Sequence, residues 1–331
     1  MHNPDFCGPK KRIMKISALS LLVVLFTILS SPAQISRYPY TNEENEKMYG
    51  ILNYRDESFN FDALTPIIRT IKLPNGVSLE YAEQGSADGI PVILLHGFPD
   101  SRHSYDLVFP LLPASVHAYA LSFRGFGESD KPEDGYAPKD FADDVAAFLN
   151  TINIKKAVVV GHSMGATVAQ QLAISYPDKI AGLVLIGGIY SFNNRADLLE
   201  FKQAVKELKD PIDTAFAVEF QQSTLYKKIP PGFFSTIINE SMKVPARVWF
   251  RALSNLLVSN TKDAIHNFNK PTLILWGEKD VIALKKDQES LKSAIKNSKL
   301  IIYEETGHDL QWETPERFTN DLLGFIKQVK F

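Results

Sequence analysis

The sequence predicts an α/β fold, a doubly wound and mostly parallel sheet of eight strands with a helical segment inserted between two of them. Short apolar runs alternate with helix-patterned stretches, an order typical of parallel sheets covered by helices on both faces. The chain has 331 residues and is 45% apolar, which is enough to bury one large core. Only 191–269 breaks the alternation, because it contains helical patterns and no strand-like run.

The remaining elements follow in chain order. Strands are expected at 67–73, 77–84, 91–95, 116–123, 157–161, 181–187, 271–276 and 299–304. Core helices are expected at 138–151, 164–176, 284–295 and 315–329. Asn75-Gly76 lies between the first two strands and favours a tight hairpin turn, so this pair is expected to be antiparallel.

A sharp turn joins the fifth strand to the following helix. Its sequence is Gly161-His162-Ser163-Met164-Gly165, a Gly-x-Ser-x-Gly pattern between a β-branched run and an amphipathic stretch. In that context the apex residue is a candidate nucleophile. Its hydroxyl would stand at a helix N-terminus, where backbone N–H groups favour the negative charge that develops in acyl transfer. Ser163 is therefore the predicted nucleophile.

A serine hydroxyl needs a base to take its proton. In proteins with this turn the order along the chain is serine, acid, histidine, which leaves His266 or His308. His308 is preferred, because it follows the last predicted strand, at the carboxyl edge where open α/β sheets bind ligands. His266 lies in a polar helical stretch and is expected to face solvent.

The acid that orients the base should also follow a strand. The run 271–276 is followed by Glu278 and Asp280. We choose Asp280, because the acid must reach the imidazole from the tip of the loop. Glu278 is expected to point to solvent or to cap the loop.

Two backbone donors are expected to stabilise the oxyanion. One is the N–H of Met164, directly after the nucleophile. The other is the N–H of Phe98, in the glycine turn that ends the third strand. His96 is expected to pack under that turn with hydrogen bonds to the backbone, and His162 is likewise given a structural interpretation.

With these motifs in this order, the chain resembles the capped serine hydrolases of the α/β-hydrolase superfamily, the AB hydrolase-1 group. The resemblance covers about residues 67–331. The matching segments are His96-Gly97-Phe98-Pro99, Arg124-Gly125-Phe126-Gly127-Glu128-Ser129, Gly161-His162-Ser163-Met164-Gly165, Gly277-Glu278-Lys279-Asp280 and Gly307-His308. One departure is Ser122, two residues before Arg124-Gly125, where relatives usually carry a structural aspartate. This difference puts the anchoring of the loop around Arg124-Gly125 in doubt.

The resemblance implies a hydrolase that cleaves an ester or lactone of a small apolar substrate through an acyl-enzyme intermediate. Epoxide hydrolases and haloalkane dehalogenases carry aspartate where Ser163 stands, and proline iminopeptidases have a different oxyanion loop. A carbon–carbon bond hydrolase of the meta-cleavage-product type stays open through Gln311-Trp312-Glu313, although this segment can equally begin a helix packed on the core. A ligand receptor with vestigial hydrolysis and a cofactor-free oxygenase also stay open.

Five segments are expected: an export signal at 1–33, an extension at 34–66, the core at 67–190 and 270–331, and a helical cap at 191–269. A cap would exclude water and shape the pocket. About two of its large apolar residues are expected to line that pocket, in keeping with the apolar lining of small-molecule sites. The candidates are Phe216, Phe220, Leu225, Phe233, Phe234, Trp249 and Phe250.

The N-terminal segment has the pattern of a secretory signal. A basic stretch ending at Lys15 precedes the apolar run 16–29 and then Ser31-Pro32-Ala33. The run is shorter than the ~20 residues that span a bilayer, so cleavage near Ala33 is expected rather than a permanent anchor. Translation could begin at Met1 or Met14. The expected mature form is secreted or periplasmic, begins at Gln34 and lacks the single cysteine.

Composition excludes several classes of function. A formal net charge of −2 gives no indication of nucleic-acid binding. The sequence contains neither a dinucleotide fingerprint nor a metal-ligand spacing, so no cofactor and no metal are expected. The expected partner is a small-molecule substrate, and the sequence does not indicate an oligomeric state.

Overall fold

The structure is a computed structural model that describes residues 65–193 and 195–331. The predicted export signal and residues 34–64 of the predicted extension lie outside the described residues.

The described residues form the expected α/β fold around one eight-stranded sheet. Its strand order is β1-β2-β4-β3-β5-β6-β7-β8. β1 pairs with β2 and β2 with β4 in antiparallel fashion, and the other pairs are parallel. The bounds are β1 Ile67–Lys72, β2 Ser78–Gln84, β3 Ile90–Leu95, β4 Val116–Leu121, β5 Ala157–His162, β6 Ile180–Ile186, β7 Thr272–Gly277 and β8 Ser298–Tyr303. The predicted sheet is therefore confirmed.

Ten α-helices accompany the sheet in the described residues. They are α1 Pro138–Thr151, α2 Met164–Ser175, α3 Ala196–Lys206, α4 Thr214–Ser223, α5 Pro231–Lys243, α6 Ala246–Leu257, α7 Lys262–Ile265, α8 Lys285–Ala294, α9 Leu310–Glu313 and α10 Pro315–Ile326. Short 3₁₀ turns cover Arg102–Tyr105, Phe109–Leu111 and Pro177–Lys179. The four predicted core helices correspond to α1, α2, α8 and α10.

The core has two apolar layers, one on each face of the sheet. In β3, Val92 and Leu94 join one layer while Ile93 and Leu95 join the other. Successive side chains of a strand point to opposite faces, so a strand that is apolar at every position must be covered on both sides. This burial explains why the central strands read as continuous apolar runs.

The segment between β6 and β7 contains α3 to α7, so the predicted insertion of helices between two core strands is confirmed. The breaks between its helices fall at the prolines, with α5 starting at Pro231 and α6 following Pro245. Its only strand-type contact in the described residues is an isolated bridge between Ser191 and Asn260. This bridge brings the two ends of the inserted segment together beside the sheet.

The loop that follows β4 and begins at Ser122, whose anchoring the sequence left in doubt, is held by the carboxylate of Glu80 in β2. Ser122 donates its hydroxyl hydrogen to Glu80 Oε2 at 2.9 Å, and Arg102 Nε donates to Glu80 Oε1 at 3.0 Å. The backbone N–H of Glu128 also donates to Glu80 Oε2, at 3.2 Å. Burial opposes ionisation, but these hydrogen bonds and the charge of Arg102 hold the pKa of Glu80 below its ordinary value.

Across 65–193 and 195–331, every helix is too short or too polar to cross a lipid bilayer.

Candidate active site

Ser163 occupies a strained backbone turn between β5 and α2. Its φ is +53° and its ψ is −115°, a combination that residues with a side chain rarely adopt. A Cβ at Gly161 would lie 2.2 Å from the carbonyl oxygen of Gly165, and a Cβ at Gly165 would lie 2.4 Å from the carbonyl oxygen of Leu95, so both positions require glycine. The turn places Ser163 at the N-terminus of α2, as the sequence predicts.

The loops after β7 and β8 bring Asp280 and His308 together. Asp280 Oδ2 lies 2.7 Å from His308 Nδ1. The loops approach so closely that a Cβ at Gly277 would lie 2.0 Å from the carbonyl oxygen of Gly307. Because β7 and β8 are parallel neighbours, their carboxyl ends meet at one edge of the sheet. The two residues predicted as acid and base are therefore in direct contact.

Backbone hydrogen bonds fix the carboxylate of Asp280. Its Oδ1 accepts from the N–H of Ile282 at 2.8 Å and from the N–H of Ala283 at 2.9 Å. Oδ2 is left to face the imidazole. The carboxylate therefore orients the ring of His308 so that Nδ1 carries the hydrogen and donates it to Asp280. When the ring is neutral, the lone pair that can accept a proton is on Nε2.

The electrostatic surroundings of His308 favour the imidazolium ion. Burial alone would lower the pKa of this histidine. The charges of Asp280, Asp309 and Asp100, with the hydrogen bond that His308 donates to Asp280, instead raise the pKa to about 9. His308 Nε2 is buried and makes no hydrogen bond to any residue that the structure describes.

Ser163 and His308 line one cavity of about 70 Å³. Typical small-molecule sites measure roughly 300–1,000 Å³, so this one is small. Its lining is Phe98, Asp100, His162, Ser163, Met164, Gly187, Ile189, Phe192, Leu198, Phe220, Gln221, Thr224, Leu253, Leu256, Leu257, Ile282, His308 and Asp309. The cavity is mostly apolar, with a polar end formed by Ser163, two histidines and two acids.

The inserted helices supply a different set of lining residues from the one expected. Of the seven apolar candidates in the sequence, Phe220 alone lines the cavity. Trp249 instead packs edge-on against Phe98, with ring centroids 5.0 Å apart, and Phe233 packs against Trp312 at 5.6 Å. The cavity is closed on this side mainly by leucines, which are Leu198 of α3 and Leu253, Leu256 and Leu257 of α6.

The two predicted oxyanion donors lie on neighbouring segments. Phe98 follows β3 and Met164 begins α2 directly after β5, and both residues line the cavity. β3 and β5 are hydrogen-bonded parallel neighbours, with Leu95 opposite Gly161. The turns that follow these strands therefore leave the sheet side by side, next to Ser163.

Two other histidines, His96 and His266, are placed as the sequence indicates. His96 is fully buried, with Nδ1 2.7 Å from the carbonyl oxygen of Gly97 and Nε2 accepting from the N–H of Phe123 at 3.0 Å. Its pKa is lowered to about 4, chiefly by burial, so the ring is neutral. His266 is exposed.

Glu278 lies away from the imidazole. Its side chain is 45% exposed and pairs with Lys279 at 3.2 Å. The solvent-facing position expected for Glu278 is therefore observed, in contrast to the buried Asp280.

The segment Gln311-Trp312-Glu313 belongs to the short helix α9, and its tryptophan does not line the cavity. Trp312 is buried and donates from Nε1 to the carbonyl oxygen of Ser104 at 2.8 Å. The Glu313 carboxylate accepts from the N–H of Gly307 at 3.0 Å and from the N–H of Lys227 at 2.9 Å. The segment thus supports the histidine loop and joins it to the inserted helices.

Sequence reasoning missed two acids of the cavity. Asp100 and Asp309 are both buried and line it beside Ser163 and His308. Asp100 Oδ1 accepts from Gln221 Nε2 at 2.8 Å. Burial raises the pKa of Asp100 to about 6 and raises that of Asp309 well above its ordinary range. Their positions in the sequence could have pointed to these acids. Asp309 directly follows His308, and Asp100 follows the turn that contains Phe98.

Comparison with known proteins agrees with this architecture. The chain is 27% identical over 278 residues to a non-heme chloroperoxidase of Streptomyces lividans. The aligned region covers 78% of this chain and 99% of that protein. It is 28% identical over 276 residues to the bifunctional esterase/perhydrolase DCH of Acinetobacter calcoaceticus, covering 76% of this chain and 97% of that protein. A thermophilic esterase of Thermogutta terrifontis, solved with malate bound, superposes with a TM-score of 0.71 and 25% identity, covering 80% of this chain and all of that one.

A family model described as the alpha/beta hydrolase fold matches residues 90–315, which include the Ser163 turn, Asp280 and His308. That match spans more than half of the chain and agrees with the strand order and the inserted helices. The protein belongs to the alpha/beta hydrolase family.

Proposed function

We propose that this protein is a serine hydrolase that cleaves an ester or lactone of a small, largely apolar substrate through an acyl-enzyme intermediate. One observation carries the proposal. Ser163, at the apex of a strained turn, and His308, held by Asp280 at 2.7 Å, line the same largely apolar cavity.

The first half of the proposed reaction forms the acyl-enzyme. Ser163 Oγ attacks the carbonyl carbon of the substrate while its proton passes to His308 Nε2. The negative charge moves to the carbonyl oxygen, which the N–H groups of Phe98 and Met164 stabilise. The bond to the leaving alcohol then breaks, and the proton on His308 passes to the alcohol oxygen.

The second half restores the enzyme. A water molecule gives its proton to His308 Nε2 and attacks the acyl carbon. The bond to Ser163 Oγ breaks, the acid product leaves, and the proton returns to the serine. Asp280 is not protonated in this sequence. It holds the ring of His308 and stabilises the imidazolium ion.

The size of the cavity favours short acyl groups. A volume of about 70 Å³ holds only a few carbon atoms beyond the carbonyl. The Acinetobacter relative and the Thermogutta protein are both named as esterases, which supports this reaction class for the present chain.

Turnover of p-nitrophenyl acetate by the wild-type protein and Ser163→Ala tests the proposal. We expect many turnovers per molecule for the wild type, near-complete loss in Ser163→Ala with an unchanged melting temperature, and labelling of Ser163 by a fluorophosphonate. A single stoichiometric burst without turnover would instead favour a ligand receptor. An active preparation in which Ser163 stays unlabelled would contradict the mechanism.

A further inference from the structure

A buried arginine at the start of the inserted helices reaches the loop that carries Asp280. This loop, residues 278–284, joins β7 to α8 and is called the acid loop below. Arg195 directly precedes α3 and is only 6% exposed. Its Nη2 donates to the carbonyl oxygen of Ile282 at 2.8 Å, and its Nη1 lies 3.7 Å from Asp287 Oδ2 in α8. Arg195 therefore ties the inserted segment to the core at the acid loop.

The contact with Ile282 acts on a peptide group that also binds Asp280. This peptide group has the carbonyl of Ile282 at one end and the N–H of Ala283 at the other. The carbonyl accepts from Arg195, and the N–H donates to Asp280 Oδ1 at 2.9 Å. Because a peptide group is planar, its N–H cannot turn unless its carbonyl turns as well. Arg195 therefore fixes the direction of a hydrogen bond that holds Asp280.

The hydrogen bonds continue from Asp280 to the imidazole. Asp280 uses Oδ1 for the peptide group and Oδ2 for His308 Nδ1, at 2.7 Å. The groups thus follow one another in the order guanidinium, peptide, carboxylate and imidazole. In such a chain each hydrogen bond polarises the next, so the positive guanidinium strengthens the N–H of Ala283 as a donor. A change at Arg195 is therefore expected to reach His308.

The rest of the acid loop is held by residues of the core. Trp276 Nε1 donates to the carbonyl oxygen of Ala283 at 2.7 Å, and the N–H of Leu284 donates to Asp287 Oδ2 at 2.9 Å. The peptide group between Ala283 and Leu284 is therefore fixed at both ends without the inserted helices. Loss of the arginine should loosen one peptide group and leave the remainder of the loop in place.

The charge of Arg195 is balanced by an acid of its own segment. Arg195 Nε donates to Asp197 Oδ1 at 2.9 Å, and Nη2 donates to Asp197 Oδ2 at 2.7 Å. Asp197 lies two positions further along the chain and its side chain is 46% exposed. This paired geometry orients the guanidinium, and the same Nη2 then reaches Ile282. The ion pair itself stays within the inserted segment, so the bond to Ile282 is what acts on the acid loop.

We propose that Arg195 is a positioning residue for the hydrolysis, which holds the peptide group of Ile282 and Ala283 so that Asp280 stays aligned with His308. The inference rests on the proposed function, because it assigns a further residue to the same reaction. Arg195 is absent from the described lining of the cavity, so it acts through Asp280 and not on the substrate.

Steady-state kinetics of Arg195→Met with p-nitrophenyl acetate tests this role. Methionine keeps the apolar stem of the side chain and removes its donors. On the plateau of the pH profile, kcat should fall by about 10- to 100-fold while KM stays within about twofold, because the lost alignment serves the transition state. Arg251→Ala is the control and should keep wild-type kcat, since Arg251 lies on α6 and pairs with the exposed Asp134.

The division of the effect between kcat and KM separates positioning from a purely structural role. Leu198 on the first turn of α3 lines the cavity, so an arginine that only seated α3 would affect substrate binding. A raised KM with an unchanged kcat in Arg195→Met would therefore overturn the proposal.

A double-mutant cycle shows whether Arg195 acts through Asp280. In Asp280→Asn the aligned carboxylate is already lost, so the addition of Arg195→Met should lower kcat by less than about twofold. The same substitution should cost about 10- to 100-fold when Asp280 is present. Equal factors in the two backgrounds would overturn the proposal, because they would show an effect that does not depend on the acid.

A proton NMR titration tests the alignment without any turnover. The hydrogen on His308 Nδ1 should give a low-field signal, which His308→Gln removes and whose position follows the protonation of the ring. The pKa of His308 should be lower in Arg195→Met than in the wild type, because the ring loses its close contact with Asp280. Asp309 and Asp100, which also raise this pKa, are unchanged in the variant.

The sign of the shift is decisive. Removal of a positive charge alone would raise the pKa of His308. An unchanged or raised pKa in Arg195→Met would therefore overturn the proposal, even in a protein that hydrolyses esters. If the wild type showed no ester turnover, the proposed function would fail, but a lowered pKa in this variant would still support the action of Arg195 on the pair of Asp280 and His308.

Arg195→Lys keeps the proposal testable if the methionine variant does not fold. Lysine retains the positive charge beside Asp197 and Asp287. Its single nitrogen is one bond closer to the backbone and cannot serve both acids and the carbonyl of Ile282. We therefore expect a reduced kcat and a lowered pKa of His308 in this variant as well. Wild-type kcat together with an unchanged pKa in the folded lysine variant would overturn the proposal.

Discussion

Asp280 Oδ2 lies 2.7 Å from His308 Nδ1, and the other oxygen of the same carboxylate is held by two backbone N–H groups. The carboxylate therefore has no freedom to turn away from the imidazole. Since both residues are buried, water cannot replace this hydrogen bond when the ring becomes charged.

The first prediction concerns this pair. Asp280→Asn should lower kcat for p-nitrophenyl acetate on the order of 10⁴-fold, the size of the equivalent change in a serine protease, because an amide would hold the wrong tautomer. Glu278→Gln is the matched control and should stay near wild-type activity. If the glutamate variant were inactive and the aspartate variant active, the acid would have to be reassigned.

The second prediction concerns pH. The proposed base works only when His308 is neutral, and its pKa is raised to about 9. kcat/KM for a neutral ester should therefore rise with pH and level off above about pH 9.

Removal of a nearby charge tests the cause of this profile. Asp100→Asn takes away one of the carboxylates that raise the pKa of His308, so the rising limb should move to lower pH. The pH profile of kcat/KM gives the measurement. The explanation by nearby carboxylates would be contradicted if the midpoint of the rise in wild-type kcat/KM lay near pH 6.5 and Asp100→Asn did not shift it.

The residues with the proposed chemical roles were predictable because they follow strands. Ser163, Asp280 and His308 each come after an apolar run that the sequence marks clearly, and parallel strands bring their carboxyl ends to one edge. The chain order of serine, acid and histidine then reduced the choice to a few positions. Local pattern and topology were sufficient for these three residues.

The walls of the cavity were not predictable in the same way. Trp249 and Leu256 lie on the same helix, α6, but the tryptophan packs on Phe98 while the leucine lines the cavity. Which side of α6 meets the cavity depends on how the inserted helices rest on the core. Asp309 was missed for a related reason, since adjacency to His308 does not show that a side chain is buried.

The third prediction concerns the anchor that replaces the expected aspartate. Glu80→Gln should lower the free energy of unfolding by about 2–4 kcal/mol, because it removes the nearer of the two carboxylates beside the largely buried guanidinium of Arg102 and leaves only Asp106, at 4.0 Å. Urea unfolding measures the change. Glu289→Gln, on an exposed helical position, should stay within about 0.5 kcal/mol of the wild type. Equal stabilities for both variants would show that Glu80 is not the anchor.

The fourth prediction concerns the N-terminal segment, which lies outside the described residues. We propose that the chain is exported and cleaved after Ala33, so that the mature protein begins at Gln34. Intact-mass measurement of the exported protein gives the N-terminus. A bulky substitution at the predicted cleavage position, Ala33→Leu, should leave the precursor unprocessed. Retention of residues 14–33 in the wild type would indicate a membrane anchor instead.

The fifth prediction concerns the length of the acyl group. Leu256 is 7% exposed and lines the cavity, so Leu256→Ala should enlarge the cavity and move the preferred p-nitrophenyl ester toward longer chains. Removing the isopropyl end of a leucine should admit about two or three further acyl carbons, at a cost of about 2–5 kcal/mol in the free energy of unfolding.

The matched control lies at the end of the same helix. Val258 is 76% exposed, so Val258→Ala should alter neither chain-length preference nor stability by a measurable amount. Initial rates across acetate, butyrate, hexanoate and octanoate esters give the comparison. Because the leucine variant loses stability, its rates must be measured well below its melting temperature. If it loses activity on all four esters equally, α6 supports the fold without limiting the acyl chain.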